Sequence, residues 1–258
     1  MEVHHHPNVE KKNFKEYFLE FIMIFLAVSM GFFAENFREH QTNKAKEQEY
    51  VLNIRNDLAT DTNNLNDFIP NLMERVTQSD SLVAYLETTG EVKSGSEMYY
   101  VARLSTKMKP FLANNTTFSE MEHSGNFRLI SKESVSKELI KIQKIAQSYQ
   151  ELSGLEEQEA QMTYPLLGFL FDSKVFVTMA KHSVRAKIDS AKSAFADIER
   201  PEGNPQLRSH NPDKINQLIF DLHERRGSFN GEVGILKELK EEEIKLIHLI
   251  NQEYALND

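Results

Sequence analysis

Between Phe21 and Ala34 the chain reads Phe-Ile-Met-Ile-Phe-Leu-Ala-Val-Ser-Met-Gly-Phe-Phe-Ala without a single charged residue. A run of this kind fits a helix in hydrocarbon, because only there do all its backbone donors and acceptors find partners within the segment. Tyr17, Phe18 and Leu19 extend it on one side and Phe37 on the other. Tyr17 to Phe37 makes about 31 Å of helix, enough to cross a hydrocarbon core of about 30 Å. Aromatic residues at both ends suit the two interfaces. The segment is read as an uncleaved transmembrane helix over 17–37, preceded by a short tail over 1–16 and followed by a domain over 38–258. Ala27-Val-Ser29 is the one candidate signal-peptide cleavage site, but cutting there leaves too short an apolar region.

Two acids complicate the span. Glu20 and Glu35 lie roughly 22 Å apart along the helix axis, closer than the hydrocarbon is thick. At least one must snorkel, enter the hydrocarbon or meet a partner there. On a helical wheel Glu20, Ala27, Gly31, Ala34, Glu35 and Arg38 share one arc, whereas Phe25, Ser29, Phe32 and Phe33 lie away from it. Small residues at Ala27-x-x-x-Gly31 permit close backbone approach, and a glutamate is less costly against protein than against lipid. This face is expected to associate with a second copy or another membrane protein.

Lys11, Lys12 and Lys15 precede the span and Arg38, Lys44 and Lys46 follow it. The positive-inside rule is therefore tied. The tighter spacing of the first three places the tail inside and the large domain outside, at the periplasmic face of a bacterial inner membrane. With 39 acidic and 30 basic residues the formal charge is −9, and no basic cluster suits a nucleic-acid backbone. Cysteine is absent, which removes disulfides, thiolate metal sites and thiol nucleophiles.

Beyond the span the spacing is helical. Val51, Ile54, Leu58, Leu65, Phe68, Leu72 and Val76 recur at threes and fours, which predicts a helix running on from the membrane, kinked at Pro70. Thr88 to Gly95 reads as a turn. A helix is expected from Glu97 to Lys107, another capped by Thr117 and stopping at Gly125, and a long one capped by Ser131. The last carries Val135, Leu139, Ile142, Ile145, Tyr149 and Leu152, and Pro165 with Gly168 should interrupt it. Glu199 to Pro205 is a loop. Asn211-Pro212 supplies a cap and a first-turn proline for a final helix. Its face includes Ile215, Ile219, Leu222, Phe229, Val233, Leu236, Ile244, Ile247, Ile250 and Tyr254. Gly227, Gly231 and Gly234 mark either a break in it or a close helix contact. No stretch alternates as a strand. The fold class is all-α: an N-terminal transmembrane helix continuing into a long helix, followed by an extended bundle whose long members pack nearly antiparallel.

Lys12 to Asn36, preceded by Glu2-Val-His-His-His-Pro7, resembles the start of a group of Bacteroidota membrane proteins. Phe118-Ser-Glu-Met-Glu-His-Ser-Gly-Asn-Phe-Arg-Leu-Ile130 resembles a second motif of that group, an aromatic and a leucine-like residue followed by Ser-Gly and an Ile. The group is catalogued as a domain of unknown function. The resemblance implies one N-terminal span and a helical soluble part; it brings no activity, cofactor or catalytic residue with it.

Candidates for chemistry are few. His4, His5 and His6 are competent metal ligands, but consecutive residues on a tail fix no geometry. Glu120-Met-Glu-His123 has the Glu-x-x-His spacing of di-iron bundles without the second copy such a site requires. Asp221-Leu-His-Glu224 reads as a charged helix face. Nucleophile elbow, zinc-protease motif, phosphate-binding glycine loop and dinucleotide fingerprint are all missing from the sequence. No metal, no cofactor and no catalytic activity is expected. The expected role is a membrane-anchored structural or protein-interaction component of the cell envelope. The alternative is an extracytoplasmic sensory or ligand-binding bundle signalling through a membrane partner.

Overall fold

A computed structural model describes residues 13–105, 110–179 and 198–256. Among these residues every regular element is helical: α1 (Phe14–Leu86), α2 (Gly95–Leu104), α3 (Thr116–Ser124), a 3-10 turn (Asn126–Leu129), α4 (Glu133–Leu170), α5 (Ser173–Thr178) and α6 (Pro212–Tyr254). The class is all-α, with a long apolar N-terminal helix followed by a helical bundle. The chain divides into two units, Met1–Leu52 and Asn53–Asp258.

In the first unit, the apolar part of α1 is exposed on all sides. Phe21, Phe25 and Phe33 are each more than half exposed, Phe33 at 70%. The helix is long and apolar enough to cross a membrane, and none of its most apolar stretch is buried within the protein. A core helix would hide one face, so this surface is suited to apolar surroundings.

The second unit is organised by three seams. On α6, Leu218, Leu222, Arg225, Phe229, Glu232, Leu236, Leu239, Glu243, Leu246 and Ile250 are all buried, and the steps alternate four and three throughout. The same alternation runs along α4 through Val135, Leu139, Ile142, Ala146, Tyr149, Ser153, Glu156, Ala160, Thr163, Leu167 and Leu170. On α1 it joins Ile54, Leu58, Asp61, Leu65, Phe68, Leu72, Arg75, Ser79, Leu82 and Leu86, of which Phe68 and Arg75 are half-buried. A strict seven-residue repeat averages 3.5 residues per turn and drives left-handed supercoiling, so this core follows coiled-coil rules.

Cross-links between the helices give their directions. Lys132 pairs with Glu253 at 3.2 Å, Lys141 with Glu242 at 2.6 Å, and Glu156 with Arg225. Position rises along α4 as it falls along α6, so the two are antiparallel. Asn66 accepts from Lys240 and Asp80 pairs with Arg226 at 3.1 Å, which makes α1 antiparallel to α6 as well. Helices α1 and α4 are consequently parallel, a departure from the expected antiparallel packing of all long members. The chain between them must travel back. Val92 and α2 pack beside Leu82 and Leu86, Phe111 reaches Phe68 and Tyr149 with ring centroids 5.6 and 6.4 Å away, and Asn114 reaches Asp61.

Local details sharpen the sequence reading. Helix α4 continues through Pro165 and Gly168 to Leu170, against expectation; Pro165 is exposed, so the carbonyl it orphans is on the solvent side while Thr163, Leu166 and Leu167 hold the turn. Helix α1 likewise continues through exposed Pro70. The cap residues are Asn115 and Lys132 rather than Thr117 and Ser131. Thr117 instead donates its hydroxyl to Asp57 at 2.6 Å. Helix α2 begins at Gly95 and ends at Leu104; Lys107 lies outside the described residues. Gly125 ends α3 with φ +70°, and Asn211 caps α6 by accepting from Lys214 N at 3.0 Å, as expected. Helix α6 is unbroken at its glycines, and Gly231 is the close contact: a Cβ there would stand 3.2 Å from Leu152 Cδ2. Ile244 is exposed rather than part of the buried face, because the seam passes through Glu243 instead.

Candidate functional site

The seams carry charge where a coiled coil ordinarily carries leucine. Two polar layers result, both within the bundle. The first joins α4 and α6. Arg225, 2% exposed, donates through Nε to Glu156 Oε1 at 3.0 Å and through Nη2 to the same oxygen. Two helical turns further on stands Glu232, 0% exposed, with neither carboxylate oxygen hydrogen-bonded. Burial pushes the Glu232 carboxyl up to about 8; the negative charge of Glu156 adds to this and Arg225 opposes it. Tyr149 borders the layer from α4 and accepts from Phe111 N through its hydroxyl at 2.8 Å. Burial raises this phenol to about 12. Ser228 donates to Glu159 Oε2 at 3.2 Å at the edge.

The second layer joins α1 and α6. Glu243 is 1% exposed and Asp61 2% exposed, and each has an oxygen, Oε2 and Oδ1 respectively, without a hydrogen-bond partner. The other Asp61 oxygen accepts from Asn114 N at 2.6 Å. Beside it Asp57 accepts from Asn114 Nδ2, Thr117 N and Thr117 Oγ1, so the returning segment is fastened to two acids one turn apart. Burial raises Glu243 to about 8, with Asp61 adding repulsion. Asp61 rises to about 6, by burial first; the Asn114 backbone bond lowers it and Asp57 raises it. The two layers differ in that Arg225 tempers the first, whereas the charges acting on the second are those of neighbouring acids.

An ionised carboxylate with no donor in an apolar seam is prohibitively costly, so the low-energy form of such a group is the neutral acid. Glu232 and Glu243 are the glutamates of the seams placed in this way. A charge in a seam also specifies register, since sliding one helix by a heptad separates Arg225 from Glu156 and leaves both unpaired.

The residues expected to form an association face lie elsewhere, in the first unit. Ala27, Gly31, Ala34, Glu35 and Arg38 are exposed and Glu20 is half-buried. A Cβ at Gly31 would meet nothing within 4 Å. Arg38 donates through Nε to Glu35 Oε2 at 2.9 Å, and through Nη2 to Oε1. The two charges at the end of the apolar segment thus neutralise each other on one helix face.

Histidines 4 to 6 lie outside the described residues. His123 places Nδ1 2.6 Å from Ser119 O on its own helix, and Asp221 accepts from Gln217 at 2.8 Å. Among the described residues no three His, Asp or Glu side chains converge as a metal site. The sequence reading missed Asp61, Glu156, Arg225, Glu232 and Glu243. Their signal was present: each occupies a step of a mainly apolar four-three repeat.

No protein-family model matches the chain, and neither a curated protein nor a solved structure matches it.

Proposed function

We propose that this chain is a membrane-anchored structural or protein-interaction component of the bacterial cell envelope, held by the helix over 17–37. No catalytic activity is assigned to it. The observation that carries the reading is that one helix, α1, contains both an apolar stretch exposed on all sides and the first seam of the bundle. A chain that carries both an apolar span and a bundle suits tethering a protein module to a membrane. The resemblance to Bacteroidota membrane proteins points the same way. The bundle is assigned to the periplasmic side of the inner membrane.

The face formed by Glu20, Ala27, Gly31, Ala34, Glu35 and Arg38 is assigned to association with a second copy or a partner span. Its support is the open space at Gly31 and the mutual neutralisation of Glu35 and Arg38. The pairing lowers the cost of bringing these charges to the edge of the hydrocarbon.

Fusion and fractionation test the reading. A reporter active only outside the cytoplasm, joined after Asp258, should be active, and its cytoplasmic counterpart silent. Deleting residues 1–40 should release the chain from membranes; a fragment that resists high salt and alkaline washing would overturn the anchor. Gly31→Ile should weaken association in a membrane two-hybrid assay while Ser29→Ile does not, and equal behaviour of the two would remove the association face.

A further inference from the structure

The two unpartnered acids of α6 belong to one device. Glu232 and Glu243 stand three helical turns apart, about 16 Å along the axis, and return to the same side of the helix. Each is buried against a different neighbour. Facing Glu232 are Glu156 and Tyr149 from α4 and Arg225 from its own helix. Arg75 of α1, at a similar height by the register of the cross-links, donates to Gln78 Oε1 and the Leu104 carbonyl. Facing Glu243 is Asp61 of α1, with Asp57 behind it; Lys141 of α4 and Lys245 are bonded to the adjacent Glu242.

Arg225 spends two donors on one oxygen of Glu156, and Glu232 receives none. In the second layer an oxygen from each of two facing carboxylates is buried without a donor. Two like charges at that distance from solvent repel, and one of them must be neutral for the helices to meet. In each layer, protonating a carboxyl oxygen removes the cost of burying a charge without a donor.

We propose that α6 docks against α1 and α4 with one proton held by Glu232 and a second held by the Glu243–Asp61 pair, so that closing the bundle takes up protons and alkalinisation loosens it. The inference does not depend on the membrane reading. Its sign follows from where the proton sits. The closed bundle keeps protons that an opened chain releases above the ordinary glutamate value of 4.5, and the closed form itself lets them go near 8. Stability from these groups is therefore full below about pH 4.5, declines as pH rises between the two values, and is flat above the upper one. Two protons released on opening raise the unfolding constant by up to about a hundredfold per pH unit in that window, and one proton by about tenfold.

The test uses the full chain in detergent micelles, unfolded with urea and followed by helical circular dichroism at a series of pH values from about 6 to about 8. Glu232→Gln and Glu243→Gln should each remove about a tenfold change per pH unit from the wild-type slope, and the double variant about a hundredfold. Glu241→Gln, on the exposed side of the same turn as Glu243, should leave the slope unaltered. Infrared spectra of the wild type at neutral pH should show a protonated-carboxyl band that shifts in heavy water and disappears on alkalinisation. Equal slopes in wild type and double variant overturn the proposal, as does absence of the band. If the Gln variants do not fold, the wild-type band decides alone. If calcium or magnesium flattens the wild-type slope and Glu243→Gln abolishes that effect, the second layer is a cation site and its proton assignment is overturned.

Discussion

Helix α1 contains two apolar surfaces of opposite design. Over Phe21 to Phe37 large side chains are exposed around the whole circumference; over Ile54 to Leu86 apolar residues recur at four and three and are buried on one side. The same helix therefore carries two kinds of surface. Apolarity around the whole circumference suits lipid, where apolar residues away from the small-residue face of Ala27 and Gly31 are interchangeable. A seam offers one direction and a fixed register, so identity at each step matters. Exchanging a single residue in each region should separate the two.

The largest effect is expected at Leu65, which is fully buried in the α1 seam. Leu65→Asp places an unpaired charge there and should cost about 4–5 kcal/mol, read as loss of cooperative unfolding or a large drop in the urea midpoint. Val28→Asp, in the exposed apolar stretch, should leave bundle stability unaltered while reducing membrane retention. If both variants unfold alike, the two surfaces are not distinct.

Next is the charge pair within the seam. Removing the cation by Arg225→Met leaves Glu156 buried without its partner and withdraws the charge that tempers Glu232. The expected loss is about 3 kcal/mol by urea unfolding, with the larger share recovered in the Glu156→Leu, Arg225→Met double variant. Failure of the double substitution to recover stability would show that the pair does more than satisfy itself.

How much of this was legible in the sequence depended on whether a signal was local. The apolar run, the Gly125 stop, the Glu199 to Pro205 loop and the Asn211-Pro212 start of α6 each depend on a few adjacent residues, and each is found where expected. The parallel course of α1 and α4 depends on where the described residues between them dock, through Phe111, Asn114 and Thr117, and no local pattern encodes that. The seam acids failed for a different reason. Arg225, Glu232 and Glu243 interrupt an apolar count, so a reading that counts apolar residues moves the stripe to neighbours such as Ile244. Counting position before polarity keeps the four-three steps intact and places the charges in the core.

A smaller effect is expected where the start of α2 meets the loop that precedes α6. Gly95 opens α2 with its amide donating to Asn204 Oδ1 at 2.6 Å, and a Cβ there would stand 2.0 Å from the Pro205 carbonyl oxygen. Backbone must move to admit even a methyl group. Gly95→Ala should cost about 2 kcal/mol. At Gly234 a Cβ meets nothing within 4 Å, so Gly234→Ala should stabilise α6 by about 0.5–1 kcal/mol through helix propensity. Urea midpoints of opposite sign would confirm that the first glycine is required by packing and the second is not.

The smallest effect concerns Pro70. It lies inside α1, on the exposed side, between buried Ile69 and Leu72. Its ring removes one backbone donor and crowds the carbonyl a turn earlier, at Asn66, whose side chain accepts from Lys240. The helix nevertheless runs through, because seam burial on either side outweighs one lost hydrogen bond. Pro70→Ala restores the donor but also frees the unfolded chain, and these terms oppose each other. The net gain should be less than about 1 kcal/mol, seen as a slight rise in the urea midpoint. A marked loss of stability instead would mean that the local backbone set by Pro70 is needed for Asn66 and Lys240 to meet, and Lys240→Met would then reproduce the loss without touching the proline.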